Sequence, residues 1–239
     1  NHLHPPFDDV RIRQAVLWLV DQSLYMNAAV GDSRYWQTCP AVFACGTPLE
    51  SDIGAEALMS QDLDKARALI AEAGYDGTPV VILQATDIAI LNAASLVTAQ
   101  LLREAGMAVE LQAMDWSTLT SRRAISKPVD EGGWNIFITW WIGADILNPV
   151  ANIGVSGGCR DRAWFGWPCD AEIERLRDAY AREDDPAEQR RLAEAVQQRA
   201  FEIVTYANFG KWFNPIAYSE RLKGMIKSPV QFFWNIEKQ

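Results

Sequence analysis

Val80-Val81-Ile82-Leu83, then Ile90 to Ala105, then Val109-Glu110-Leu111-Gln112-Ala113-Met114, decide the fold. The first is a short apolar, β-branched run of the size of a fully buried strand. The second carries apolar residues at helical spacing and stops at Gly106. The third alternates apolar with polar, the period of a half-covered strand. Strand, helix and strand in so short a stretch predict a β-α-β unit, whose right-handed crossover makes the two strands parallel in one sheet. C-terminal to it, Trp116 to Ser126 reads as a helix and Gly132-Gly133 as a turn. Trp134 to Trp141, rich in β-branched and aromatic residues, reads as a further buried strand that Gly143 and Pro149 keep from continuing. Asp170 to Arg182 and Pro186 to Tyr206 read as helices, the second with proline in its first turn. The tail, Trp212 to Tyr218 and Gln231 to Ile236, reads as two strands around a turn near Gly224.

N-terminal to the unit, Asp62 to Gly74 has the acidic start and glycine stop of a short helix. Pro6, Asp8 and Asp9 open a helix that breaks near Asp21 and ends before Gly31. Residues 31–60 hold much Gly, Pro, Ser and Cys, and an ordered loop that long inside a compact domain points to function. The recurring pattern places the chain in the α/β class, a mixed sheet flanked by helices.

With 49% hydrophobic and 22% charged residues, the 239-residue chain can bury one or two cores. A net charge of -9 argues against nucleic acid, which draws on clustered Lys and Arg. No apolar run approaches the ~20 residues needed to cross a bilayer. The opening Asn1-His2-Leu3-His4-Pro5-Pro6 follows no signal-like segment and reads as cut from something longer.

Cysteines fall into two close pairs, Cys39 with Cys45 and Cys159 with Cys169. Such short-range pairs suggest disulfides that staple loops, and an oxidising compartment. Free buried cysteines are the alternative. Zinc fits poorly, because the spacings are not those of a zinc knuckle and the two histidines, His2 and His4, sit at the extreme start. No metal and no cofactor is expected. Nor is catalysis: the chain has no Gly-x-Ser-x-Gly elbow, no phosphate loop, no dinucleotide fingerprint, and no His set between a nucleophile and a carboxylate.

Recognition chemistry is concentrated in Trp140-Trp141-Ile142-Gly143-Ala144-Asp145-Ile146-Leu147-Asn148-Pro149. Two flat aromatic faces, a charge and an amide at the end of a strand are the parts of a binding site. Core tryptophans and a turn-capping Asp explain the same residues. Tyr35, Trp36 and Phe43, in the loop before and within the first cysteine pair, could reach the same cleft or pack on their own domain.

Pro5-Pro6-Phe7-Asp8-Asp9-Val10-Arg11-Ile12-Arg13-Gln14-Ala15-Val16 resembles the peptide/nickel-type extracellular solute-binding proteins of bacterial ABC importers, the dipeptide- and oligopeptide-binding group. Three further segments agree in order: Asp64 to Tyr75, Ala99 to Glu110, and Ala144-Asp145-Ile146-Leu147-Asn148-Pro149, which resembles the family's Ala-Asp-x-x-Asp-Pro turn. The likeness covers all 239 residues but only the C-terminal half of such a protein. It implies one lobe of a two-lobed, type II-like periplasmic clamp. Residues 1–210 would be the second ligand-binding lobe, and 211–239 a segment returning toward the hinge or first lobe. It also implies a short-peptide or other small-solute ligand, permease subunits as partners, a monomer, and a periplasmic location. Asp145 would meet a ligand amino group and Trp141 would border the pocket. The chain departs where the family's usual Trp precedes the Ala-Asp pair, since Ile142 stands there, and at Asn148, where the family has a second acid. Two other classes remain in view. Paired, buried titratable groups in a pocket would favour an α/β enzyme. A flat, exposed aromatic patch would favour a protein-interaction module.

Overall fold

The computed structural model describes residues 1–228, 230 and 232–239. The carboxylate of Asp9 accepts from the amide of Arg11 and starts helix α1 (Val10–Leu19). Val20 and Asp21 turn extended, breaking the helix as expected, and Asp21 caps α2 (Gln22–Ala29). The long loop that follows holds a 3-10 turn at Ser33–Tyr35, the short strand β1 (Trp36–Gln37) and α3 (Glu56–Met59). Asp62 then caps α4 (Leu63–Glu72).

The predicted β-α-β unit follows as β2 (Val80–Ala85), α5 (Ala89–Glu104) and β3 (Val109–Met114). The two strands are parallel, from Val80 opposite Val109 to Ala85 opposite Met114. All six β2 residues are buried, because β2 is the central strand and helices cover the sheet. Asp115 caps α6 (Trp116–Arg122), which ends four residues short of Ser126 as its last turn tightens. Next come β4 (Ile136–Phe137), parallel to β2 on the side opposite β3, and a 3-10 turn at Gly143–Ile146. The chain continues through α7 (Cys159–Arg162), α8 (Ala171–Arg182) capped by Asp170, and α9 (Pro186–Ile203) capped by Asp185. It closes with β5 (Lys211–Trp212), β6 (Leu222–Lys223) and β7 (Glu237–Lys238).

Three expectations are corrected. The strand expected over 134–141 pairs only at Ile136 and Phe137. Its start is held differently: Asn135 donates its amide to Val81 O and accepts the Val81 amide on its side-chain oxygen, at 3.0 and 2.8 Å. Its end leaves the sheet because Trp140 and Trp141 pack on other rings. The strand expected over 212–218 shortens to β5, which pairs antiparallel with β1 across Trp36 and Trp212. Leu222–Lys223, just before Gly224, pairs antiparallel with Glu237–Lys238; the strand expected from Gln231 begins outside the described residues. Parallel and antiparallel ladders thus both occur, in separate sheets. The Gly132-Gly133 turn is real: Gly132 has φ +91°, and a Cβ on Gly133 would lie 1.9 Å from Lys127 O, so no larger residue fits.

One large apolar core joins α1, α2, α4, α5, the parallel sheet, α8 and α9. No helix among the described residues is long and apolar enough to cross a membrane.

Candidate functional site

Open α/β sheets gather ligands outside the carboxyl ends of their strands, where loops diverge and leave a crevice. Here β2 leads into Thr86 and Asp87, β3 into Asp115 and Trp116, and β4 into the segment carrying Trp140 and Trp141. The first two turns are tied together: Asp87 accepts the Trp116 amide at 2.8 Å, and the Thr86 hydroxyl donates to Met114 O at 3.2 Å. Trp116 stacks on Trp140, centroids 5.3 Å apart and planes 21° from parallel. Trp141 leans on Trp164 at 4.7 Å. Trp140 keeps 39% of its surface exposed, and Trp116, Trp141 and Trp164 are half-buried. The carboxyl edge therefore presents a wall of indole rings, with aromatic surface left for a guest.

Arg123, just past α6, is set into that wall. Its guanidinium carbon lies 4.8 Å from the Phe165 ring, 5.2 Å from Trp164, 5.7 Å from Trp116 and 5.8 Å from Phe137. Burial lowers its pKa from the ordinary arginine value, yet an arginine keeps its proton at any physiological pH.

Both cysteine pairs are disulfides, with Cα separations of 5.9 Å for Cys39–Cys45 and 4.1 Å for Cys159–Cys169. One loop braces the turn that carries Asp145, and the other forms part of the wall. The 39–45 loop is clamped by the Gln22 side chain, which donates to Cys39 O and accepts the Cys39 amide. Asn152 and Tyr206 both donate to Val42 O, and the Lys211 ammonium donates to Cys45 O at 2.7 Å. From this platform the Ala44 amide donates to Ile146 O at 3.2 Å, fixing the 3-10 turn that carries Asp145. The 159–169 loop carries Trp164 and Phe165 themselves.

Of the residues singled out from sequence, Trp140 and Trp141 stand on the carboxyl edge. Asp145 is exposed, and among the described residues its carboxylate accepts no hydrogen bond and makes no ion pair. It caps nothing. Asn148 does the capping, its side-chain oxygen accepting from the amides of Val150 and Ala151, both at 2.9 Å. Tyr35 and Trp36 are half-buried beside β5, with Arg34 5.5 Å from the Tyr35 ring. Phe43 is corrected: at 1% exposure it is a core side chain, drawn inward by the loop anchors around Val42. Trp116, Arg123, Trp164 and Phe165 were not foreseen. Trp116 was within reach, since it opens the helix predicted just after a strand; Arg123 and the 164–165 pair arrive through contacts that no local pattern encodes.

The model for "Bacterial extracellular solute-binding proteins, family 5 Middle" matches residues 1–163. A protein of Sinorhizobium fredii, "Probable peptide ABC transporter periplasmic-binding protein y4tO", is 37% identical over 239 residues, all of this chain and 45% of that protein. Among solved structures, a periplasmic binding protein DppA of Helicobacter pylori, in complex with peptide STSA, superposes with TM-score 0.80 at 15% identity, over 100% of this chain and 46% of that one. "Clavulanic acid biosynthesis oligopeptide binding protein 2" gives TM-score 0.70 at 27% identity, over 85% of this chain and 38% of that one. The chain spans about half the length of the curated relative it matches. With the α/β lobe and the ordered motifs, these likenesses agree on one answer: the chain belongs to family 5 of the bacterial extracellular solute-binding proteins.

Proposed function

We propose that this chain is the second, C-terminal lobe of a periplasmic solute-binding protein that encloses a short peptide between two lobes and hands it to the permease of an ABC importer. The observation that carries this reading is the indole wall at the carboxyl ends of three parallel strands, followed by a turn whose Asp145 has no partner in the lobe. A ligand ammonium would satisfy that carboxylate, and ring faces would cover the ligand's apolar backbone and side chains. Catalysis has no place in this reading: capture and release need complementary surface only. Residues 1–210 act as the lobe. Residues 211–239 return toward the hinge or first lobe, which fits a tail whose Phe233 and Trp234 are each 72% exposed.

The test uses the complete protein. Mass spectrometry of whatever copurifies with it, followed by calorimetric titration with synthetic copies, should yield short peptides bound one per monomer. Recovery of a partner protein on the indole wall, with no small ligand, would overturn the reading in favour of an interaction module.

A further inference from the structure

The two disulfides differ in what can reach them. Cys39 and Cys45 are buried, at 6% and 4% exposure, in a loop clamped by Gln22, Asn208 and Lys211. Cys169 is exposed and Cys159 half-buried. Exchange begins when a thiolate attacks a disulfide sulfur, so access decides which bond reacts, and it favours the second pair. Arg160 and Arg162 flank Cys159 along the chain. Of the acids beside the pair, Asp161 lies between those arginines and Asp170 is already taken by Arg199. The remaining positive charge favours the thiolate that leaves Cys159 when the bond opens.

The same loop is held in a costly backbone shape. Cys159 has φ +59° and Trp167 φ +51°, so two of the four left-handed non-glycine residues among those described lie here. Such conformations persist only where their surroundings impose them. At Cys159 one of those constraints is the bond to Cys169, which reduction removes. Between the two residues the chain carries Trp164, against Trp141 at 4.7 Å and Phe137 at 5.5 Å, and then Phe165. Trp167 is buried against Trp134 and anchors the far end.

We propose that Cys159–Cys169 is a site of reversible thiol–disulfide exchange with a dithiol reductant, and that its opening releases Trp164 and Phe165 from the indole wall. A thiolate of the reductant attacks the Cys169 sulfur, forms a mixed disulfide and expels Cys159 as a thiolate. The reductant's second thiolate then attacks the reductant sulfur of that mixed disulfide, closes the oxidised reductant and frees Cys169. Two electrons pass to the protein, and the two protons lost by the dithiol end on the two cysteines. A disulfide oxidant reverses both steps. Once opened, Cys159 leaves the left-handed region and the tip of the loop loosens, while Trp167 keeps the lobe folded. The consequence for capture rests on the wall being the solute site; the exchange does not.

The complete protein is treated with dithiothreitol and, in a parallel arm, with reduced thioredoxin at the same dithiol concentration. Samples are quenched in acid over time, and free thiols are alkylated in denaturant and located by peptide mass spectrometry. Cys159 and Cys169 should become free about tenfold or more faster than Cys39 and Cys45. Tryptophan fluorescence should change in step, and glutathione disulfide should restore it. Faster opening by thioredoxin assigns the reductant to a protein, and faster opening by dithiothreitol to a small dithiol. Equal rates for the two pairs, or earlier opening of Cys39–Cys45, would overturn the site. The Cys159→Ser, Cys169→Ser double variant should show the reduced spectrum without any dithiol; the spectrum of the oxidised parent would overturn the release of the rings. Should opening unfold the lobe, as read by circular dichroism, the bond is a staple and the proposal falls. Calorimetric titration with a copurified peptide, before and after selective reduction, should show affinity lost and then regained on reoxidation. Selective opening and a changed spectrum with unaltered affinity would uphold the exchange and remove the indole wall from the solute site.

Discussion

Asp145 and Asn148 lie three positions apart and do opposite work. Asn148 caps the following turn through two backbone amides, whereas Asp145 projects from its own turn with nothing in the lobe to neutralise it. Substitutions should therefore separate stability from binding. Asp145→Asn in the complete protein should weaken an amine-bearing peptide by about 1.5 to 3 kcal/mol and leave the melting temperature of the empty protein nearly unchanged. Asn148→Ala should do the reverse, costing about 1 kcal/mol of stability, as the loss of a side-chain cap does, with affinity little altered. Calorimetry and thermal melts on both variants check this; an Asp145→Asn protein with full affinity would remove Asp145 from the site. Sequence pattern singled out Trp140, Trp141 and Asp145 as candidates because a strand end rich in rings and charge is locally visible. It misplaced Phe43, whose burial depends on Asn152 and Tyr206 reaching Val42 from more than a hundred residues away.

The elements divide in the same way between what is local and what is not. Helix starts were legible because Asp9, Asp21, Asp62, Asp115, Asp170 and Asp185 each cap through their own carboxylate, a signal contained within four residues. The extent of β4 was not, since its pairing stops where Trp140 meets Trp116, on a different element. Asp170 shows how a cap acquires a second role. It caps α8 through the Ile173 amide and also receives the Arg199 guanidinium from α9, with the carboxylate only 11% exposed. The hydrogen bonds from Arg199 are the main reason that its pKa is held below the ordinary carboxylate value. A depressed folded-state pKa contributes stability above the unfolded value, near 3.9, and loses it as the pH falls through the folded one. Asp170→Asn keeps the cap but removes the charge, so it should cost about 1 to 2 kcal/mol at neutral pH. That deficit should shrink progressively below about pH 4. Urea unfolding of both proteins across pH 2 to 7 measures the difference, and a pH-independent deficit would contradict the assignment.

The disulfide loops are elements in their own right, one holding the turn that carries Asp145 and the other carrying Trp164 of the indole wall. Removing Cys39–Cys45 by a double serine substitution should cost about 2 to 3 kcal/mol from the loop-closure term. It should also lower affinity in the complete protein, because the Ala44 contact to the Asp145 turn would lose its platform. Removing Cys159–Cys169 should instead blunt the ligand-induced change in tryptophan fluorescence, since Trp164 and Phe165 ride on that loop. Unaltered affinity and fluorescence response in both variants would mean that the staples serve stability alone. Before any substitution, titration of the unreduced, denatured protein should find no free thiol.

At the scale of the whole molecule, the question is what this chain can do without the second wall proposed for it. The core is continuous from α1 through the parallel sheet to α9, so its apolar burial needs no second lobe, and the isolated chain should unfold in one cooperative thermal transition. Binding is another matter. A drug-sized ligand in a formed pocket loses about 70 to 90% of its surface to protein, and one wall leaves most of that surface in water. Affinity of the isolated chain for a peptide should therefore fall by orders of magnitude from that of the complete protein, with the indole wall and Asp145 unchanged. The tail makes the same point structurally. Among the described residues, Trp212 is the last to pack on the core, and beyond it Ile216, Tyr218, Phe233 and Trp234 are each more than half exposed. Deleting residues 213–239 should barely shift the melting temperature of the isolated chain, yet destabilise the complete protein if, as proposed, the other lobe covers those side chains. Equal peptide affinity for the isolated chain and the complete protein would refute the two-wall site. An equal effect of the deletion in both contexts would place the tail with this lobe and not with the one it is proposed to reach.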